Sequence, residues 1–411
     1  MKLQPLERQW IYYDVGNSAF TLLATTVLPI YFNAVAEQGG LSSTDYLAYW
    51  GYASSIVTLL VAIIAPLFGS MADSDGAKKR IFTGFLIIGL LGTALLGINV
   101  GWLGFLVIYI IAKTGYQASL VFYDAMLTDV TTPERMDEVS SRGYAWGYIG
   151  SVIPFALGLV LVLKGESLGL SFQTRMGGNL LLTALWWLLF SIPLLRHYKQ
   201  THFLSREATS FSVVRKRLRE TAREIRQNPK VLHFLVAFFF YIDGVYTIIS
   251  MAVAYGTSLG LDSTSLLLAL LVTQIVAFPF ALLFGWLSRR VGTARLIRIA
   301  IIAYAGITAF AMQLDRAWEF WFLAICVGMF QGGAQALSRS YFARIIPAER
   351  SGEYFGIYDI CGKGASFLGT FLVAWVTQLT GRQELGVGIL LLFFVIGLFY
   401  FQKSVRAKEI V

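Results

Sequence analysis

Three ionisable residues lie inside long apolar stretches of this sequence: Lys113, Asp243 and Lys363. A charge at bilayer depth costs at least about 2.5–3.5 kcal/mol unless it is paired or hydrated, so such residues mark either a transport pathway or a structural ion pair. A lysine can hold the carboxylate of a zwitterion and an aspartate its ammonium, so we predict substrate contacts for these residues. Lys363 ranks below Lys113, because Asp359 lies four residues before it and can neutralise it on the same helix.

A polar stripe runs along the first apolar segment, where Asp14, Asn17, Thr21 and Thr25 recur at helical spacing. The stripe can contribute Asn17 to a substrate site and Asp14 to proton movement, or it can merely cap a helix end. The aromatic neighbours of the stripe, which fit an interfacial belt, are Trp10, Tyr12 and Tyr13.

Further polar residues share helix faces: Gln117 and Asp124 with Lys113, and Gln331 with Gln335. The glutamines can contact a substrate, or they can simply form hydrogen bonds between helices. A desolvated carboxylate takes up a proton closer to working pH than an exposed one does. The predicted substrate contacts are therefore Asn17, Lys113, Gln117, Asp243, Gln331, Gln335 and Lys363, and the candidates for proton coupling are Asp14, Asp124 and Asp243.

The composition places these residues in a membrane. Hydrophobic residues make up 56% of the 411 residues and charged residues 14%, whereas a soluble domain carries about a quarter charged residues. Such an apolar surplus requires lipid as part of the solvent. Only three histidines occur, without metal-ligand spacing, and no phosphate-binding loop is found, so we expect no enzyme, metal, cofactor or direct use of ATP.

Twelve apolar segments are long enough to cross about 30 Å of hydrocarbon. Polar, glycine-rich or charged breaks separate nearly all of them. The sequence therefore predicts an all-α membrane protein with spans near 10–35, 46–71, 81–99, 102–127, 141–163, 178–196, 231–257, 264–288, 296–314, 318–343, 353–379 and 384–402.

The basic residues fall mostly on one side of these spans. With the N-terminus inside, 27 of the 33 Lys and Arg residues lie in inside segments and 4 in outside loops. This asymmetry predicts that both termini are cytoplasmic. It also accounts for the net charge of +9 without a nucleic-acid partner.

The longest loop predicts a division into two six-helix bundles, 1–196 and 231–411, joined by a linker at 197–230. Arginines in this linker alternate with apolar residues at helical spacing, which predicts an amphipathic helix lying on the anionic cytoplasmic leaflet. A solvated charged linker is the alternative. The apolar positions are Phe211, Val214, Leu218, Ala222 and Ile225.

The two bundles also repeat one another in sequence. Gln117 and Gln331 correspond at an offset of 214 residues, and Leu67-Phe68-Gly69 answers Leu283-Phe284-Gly285. Two six-helix halves around a cavity at the middle of the membrane are a transporter architecture.

The loop after the second span resembles the corresponding loop of the major facilitator superfamily. The matching gate motif is Gly69, Asp73, Gly76 and Lys78. Glycine permits close helix packing, and the carboxylate can accept hydrogen bonds at the N-terminus of a facing helix. The second-half copy has Arg289 in place of the acid, so only one gate latch is expected. The resemblance implies that helices 1, 4, 7 and 10 line the cavity.

Two further segments resemble the vacuole-effluxer-like branch of that superfamily. They are Tyr13-Asp14-Val15-Gly16-Asn17-Ser18-Ala19-Phe20, and a later region with Ser338-Arg339-Ser340, Pro347 and Phe355-Gly356. This branch includes fungal vacuolar amino-acid effluxers linked to autophagy, together with bacterial members. The compact loops suit a bacterial member located in the plasma membrane. The resemblance implies amino-acid export.

The sequence thus predicts a monomeric secondary transporter that moves a small solute by alternating access, with the bilayer and protons as further partners. One alternative is a proton-coupled exporter of amphipathic drugs or lipids, which would use a broad aromatic cavity. The other is a membrane sensor on a transporter scaffold that does not transport.

Overall fold

The computed structural model of the chain describes residues 2–205, 211–258, 260, 262–314 and 316–407. These ranges are helical, apart from turns, connecting segments and one isolated β-bridge between Ser74 and Leu204. The helices are α1 Pro5–Gln38, α2 Ser43–Ala72, α3 Ala77–Leu95, α4 Gly101–Ala125, α5 Leu127–Val130, α6 Met136–Lys164, α7 Phe172–His197, α8 Phe211–Gln227, α9 Pro229–Ser258, α10 Ser263–Val291, α11 Thr293–Ala311, α12 Ala317–Ile345, a 3₁₀ turn Ala348–Arg350, α13 Ser351–Thr380, α14 Gln383–Gly388 and α15 Leu390–Arg406.

Every predicted span falls on one of these helices, and the last span is divided between α14 and α15. Within the described ranges, ten helices are long and apolar enough to cross a membrane. The other two predicted spans are α3, which opens with three basic residues, and α13, whose segment Leu368–Thr380 is apolar. The chain is therefore an all-helical, multi-pass membrane protein.

Several helices begin earlier than their apolar stretches, because polar first turns suit a helix N-terminus. α6 begins at Met136 and carries Asp137 and Glu138 in its first turn, where acidic side chains favour the positive end of the helix dipole. Small residues determine how closely some neighbouring helices approach each other. A side chain on Gly92 of α3 would collide with Ala112 of α4, so these two helices pack with their backbones close together.

The helices form two groups, which we call the N-half (α1–α7) and the C-half (α9–α15). α1 packs on α6 and α7, and α9 packs on α15 and α13. The two halves meet chiefly where α2 packs on α13 and α6 on α10. We call the end at which α1 begins and α15 ends the basic end; there Glu7 contacts Arg135, and Ser404 contacts Lys230.

The predicted amphipathic helix is present as α8, but protein covers its buried face. α8 packs on α2, α9 and α13 at the basic end. Val214, Thr221 and Ile225 are buried, whereas Ala222, which was expected on the apolar face, is exposed. Protein therefore covers part of the predicted apolar face, and contact of this helix with the leaflet stays a prediction. The arginines of α8 remain largely exposed.

Candidate functional site

The guanidinium of Arg339 joins the two halves of the molecule. Its Nη1 donates to Asp124 Oδ1 on α4 at 2.8 Å, and its Nη2 lies 3.4 Å from Asp14 Oδ2 on α1. Its Nε donates to Ser140 Oγ on α6 at 2.9 Å. The side chain is 2% exposed. Arg339 belongs to the C-half, yet all of these partners belong to the N-half.

Three aromatic rings lie close to this guanidinium. The guanidinium carbon lies 4.6 Å from the Trp10 ring, 4.4 Å from the Tyr144 ring and 5.6 Å from the Tyr123 ring. Trp10 also stacks on Tyr123 and is fully buried, so it is not part of an interfacial belt. Gly143 leaves the room that Asp14 needs, because a Cβ there would collide with its carboxylate. The surroundings therefore offer a planar cation both charged acceptors and aromatic rings.

The structure brings two predicted proton carriers, Asp14 and Asp124, to this one arginine. Asn17 orients Asp14, since its Nδ2 lies 3.3 Å from Asp14 Oδ1 and donates to the Tyr13 carbonyl at 2.9 Å. The sequence placed Arg339 among the cytoplasmic basic residues. It lies inside α12, within the predicted span 318–343, and is the counterion of both carboxylates.

Lys113 and Asp243 do not pair with each other in the described structure. Lys113 Nζ donates to the Tyr109 hydroxyl at 2.7 Å within α4. Asp243 is fully buried between α9 and α13, where its Oδ1 accepts from Thr247 Oγ1 at 3.1 Å and from the Gly369 amide at 3.2 Å. Among the described residues its Oδ2 has no hydrogen-bond partner.

The predicted glutamines occupy different surroundings. Tyr148 and Gln335 approach across the two halves, with 3.5 Å between the Tyr148 hydroxyl and Gln335 Oε1. Gln331 is buried, and its Nε2 has no hydrogen-bond partner among the described residues. Gln117 is half-buried on α4. The side chain of Lys363 lies outside the described part of the structure.

The gate motif forms a contact between the halves at the basic end, which we call the first latch. Asp73 Oδ1 accepts from the Gly352 amide at 2.7 Å, and Oδ2 from the Glu353 amide at 3.0 Å, at the N-terminus of α13. Lys78 Nζ donates to Asp129 at 2.9 Å and to Ser351 at 2.8 Å.

The glycines of the motif have separate structural reasons. A side chain on Gly69 would collide with the α13 backbone at Gly352, so this residue sets the closeness of α2 and α13. Gly76 has φ +62°, in the left-handed region that favours glycine.

Burial controls the acidity of Asp73. Loss of hydration raises the pKa of this carboxyl to about 7, and the attraction of Lys78 and the two backbone amides offsets only part of that effect. Asp73 lies just beyond the end of α2. Protonation of Asp73 therefore acts on the first latch at the basic end.

A second latch joins the copy of the motif to the N-terminus of α6. Arg289 pairs with Glu138, and Arg344 binds Asp137 through two hydrogen bonds of 2.8 and 3.1 Å. A side chain on Gly285 would collide with Ser141 of α6. The expectation of only one latch is therefore wrong, because the acid of the second latch comes from the facing helix.

The first residues of the linker bind to residues of the first latch. Asp129 accepts from the Tyr198 hydroxyl at 2.6 Å and from the backbone amides of Thr201 and His202 at 3.1 and 2.8 Å. Leu204 N donates to the Asp73 carbonyl at 2.7 Å. No spacing or motif in the sequence indicated that Asp129 binds both Lys78 and the linker.

Comparison with known proteins decides the family. Residues 6–409 match the family described as vacuole effluxer Atg22 like. The chain belongs to this family. It is 40% identical over 397 residues to a Bacillus subtilis protein named an uncharacterized MFS-type transporter, YxiO, covering 95% of this chain and 93% of that one. It is also 23% identical to autophagy-related protein 22 of Kluyveromyces lactis, over 86% of this chain and 78% of that one.

Solved structures show the major facilitator fold for this member of the Atg22-like family. The human organic anion transporter MFSD10 matches 97% of this chain and 100% of its own, with a TM-score of 0.76 and 16% identity. A bacterial homologue of the iron transporter ferroportin in an outward-facing state matches 98% of both chains, with a TM-score of 0.71 and 14% identity. The family match and the 40% identical relative, not these distant structures, show that the protein is a membrane transporter of this superfamily and not an enzyme.

Proposed function

We propose that this protein exports a small amino acid by secondary active transport. The observation that carries the proposal is the position of Arg339, where one cation and two carboxylates lie between the halves. A zwitterion presents both complementary charges to such a set. The name of the family supports efflux. Substrate contacts by Asn17, Lys113, Gln117, Asp243, Gln331, Gln335 and Lys363 remain part of the proposal.

The proposed architecture has twelve spans in two six-helix bundles, 1–196 and 231–411, with the linker at 197–230. The ten long apolar helices, together with α3 and α13, support this number. The charge asymmetry supports a cytoplasmic basic end, with both termini on that side. We propose a monomer in the bacterial plasma membrane.

We further propose that the described state is closed toward the cytoplasm. Both latches and the Arg339 contacts join the halves at the basic end. Opening toward the cytoplasm must break all three sets of contacts. Asp14 and Asp124 then lose their shared counterion, and these two carboxylates remain our candidates for proton coupling.

The test is a screen of amino acids by thermal shift on the purified protein, followed by uptake into proteoliposomes. A stabilising amino acid should be taken up, and an imposed pH gradient should change its rate. Failure of every amino acid to bind or to move would overturn amino-acid transport.

A second function, export of amphipathic solutes, is favoured by an apolar cavity in the C-half. Its volume is about 100 Å³, and its walls include Leu270, Leu323 and Val373. Thr247 lies in the wall and binds Asp243. In the same liposomes, stabilisation and uptake of lipophilic cations, without amino acids, would identify this function instead.

A further inference from the structure

The pocket around the Arg339 guanidinium is complete without the half to which Arg339 belongs. Its two carboxylates come from α1 and α4, and its hydroxyl and carbonyl acceptors come from Ser140 of α6. Its rings come from the same three helices. The N-half therefore contributes a preformed cation pocket, and the C-half contributes the cation.

We propose that this pocket binds a small organic cation with a guanidinium or primary ammonium group, and that Arg339 is a tethered occupant that closes it. The proposal rests on the proposed function, since alternating access is what empties the pocket. It adds a site and a ligand class to that function.

The fit to such a cation is specific. The Trp10 and Tyr144 rings lie 4.6 and 4.4 Å from the guanidinium carbon, close enough for cation–π attraction. The edge of the group meets Asp124 at 2.8 Å and Ser140 Oγ at 2.9 Å. Planar, charge-assisted recognition of this kind suits guanidinium best and ammonium next.

When Arg339 leaves the pocket, Asp14 and Asp124 lose their positively charged partner. When α12 separates from α1, α4 and α6, Asp14 and Asp124 remain close together without their shared cation. Charges of like sign in a buried site repel, so the empty pocket favours uptake of positive charge. The other titratable groups that interact electrostatically with these carboxylates are Tyr13, Tyr116, Tyr123, Tyr144, Tyr148, Tyr246, Tyr358 and Asp359.

The experiment empties the pocket chemically. Full-length Arg339→Ala is purified, and its melting temperature is followed against methylguanidinium, methylammonium, neutral urea and NaCl at equal, low concentrations. Methylguanidinium is expected to raise the melting temperature by about 2–4 °C, and methylammonium by less. Urea, NaCl and the wild-type protein should give no rise.

Two further variants decide whether the pocket is the cause. Arg339→Ala with Asp14→Asn and Asp124→Asn should lose the response. Arg344→Ala is the matched control, since Arg344 also binds a carboxylate across the halves. Equal stabilisation of Arg344→Ala would overturn the proposal, because any lost arginine would then be replaced.

If Arg339→Ala cannot be purified, Arg339→Ser serves, since it also removes the charge and leaves the guanidinium position empty. Stabilisation by acid alone, without a response to methylguanidinium, would show that protons neutralise the carboxylates and would overturn the cation site. This readout needs no transport. If the protein transports amino acids but Arg339→Ala does not respond to methylguanidinium, only the cation pocket is overturned. If Arg339→Ala responds but no amino acid is transported, only the amino-acid substrate is overturned.

Discussion

Glu138 of α6 and Arg289 of α10 form an ion pair at the position where, in the other half of the repeat, Asp73 of the α2–α3 loop caps α13. Arg289 follows Gly285 by four residues, as Asp73 follows Gly69. Each of these glycines allows close contact with the first turns of the facing helix. The two latches thus share a backbone geometry and have opposite charge arrangements.

This reversal predicts a rescue by charge exchange. Glu138→Arg and Arg289→Glu should each destabilise the closed basic end, because each places like charges together. The exchanged double variant should recover at least part of the loss. Since Arg289 is partly exposed, we expect a coupling of about 1 kcal/mol or less. A double-mutant cycle on melting temperature measures it, and additive single effects would show that the pair does not hold the latch.

Asp73→Asn should slow the return to the closed basic end while leaving the fold intact. The amide keeps the shape of the carboxylate but has a single acceptor oxygen, so it can bind only one of the Gly352 and Glu353 amides that Asp73 binds together. Single-turnover transport and melting temperature, measured on the same protein, check this. Unchanged transport in both Asp73→Asn and Asp73→Ala would exclude Asp73 from the mechanism.

Asp73 also predicts a pH dependence of the latch. Burial raises the pKa of its carboxyl to about 7, against an ordinary value of 3.8. Closing the latch therefore binds a proton between these values, so the closed state is favoured as pH falls from about 7 toward 4 and is weakened as pH rises. Lys78 and Glu353 are the charged groups that act on this carboxyl.

The measurement is the labelling rate of a cysteine introduced at Ser351, which contacts Lys78 in the closed state. Labelling should slow as pH falls, after correction for thiolate fraction with an exposed cysteine. Asp73→Asn should remove this dependence, whereas the same slope in both proteins would assign it to another group.

Lys113 and Asp243 are expected to act on the ligand separately. Lys113→Met and Asp243→Asn should each weaken amino-acid binding by roughly ten- to a hundred-fold, since a bond to a charged partner contributes about 1.5–3 kcal/mol. A charge-exchanged double variant should not recover, because the two side chains have different partners. Tyr109→Phe is the control for the positioning of Lys113. Wild-type affinity in both single variants would exclude this site.

The proposed topology can be tested by cysteine labelling in cells. Residues near 78, 215 and 403 should react only from the cytoplasm, and residues near 40, 168 and 382 only from outside. Gly40 and Leu168 are exposed positions suited to this purpose. Labelling of 78 and 382 from the same side would contradict the twelve-span arrangement.

The helices were predictable from sequence because each carries its own apolar stretch and its own polar boundary. The contacts between halves were not. Arg339 was counted only as one basic residue on the cytoplasmic side, and its pairing was not foreseen, since its two counterions lie 325 and 215 residues away. Likewise, the second latch draws its acid from α6, so inspection of the motif copy alone found it missing. Long-range charge pairing leaves no local spacing to recognise.

The attachment of the linker to Asp129 limits how far the halves can move apart. Thr201, His202 and Leu204 are held on the N-half, and Thr221 of α8 is bonded to Glu353 of the C-half. The seven peptide links from residue 204 to residue 211 can reach at most about 25 Å. While both attachments are intact, this short segment sets an upper limit on how far the two halves can separate during transport.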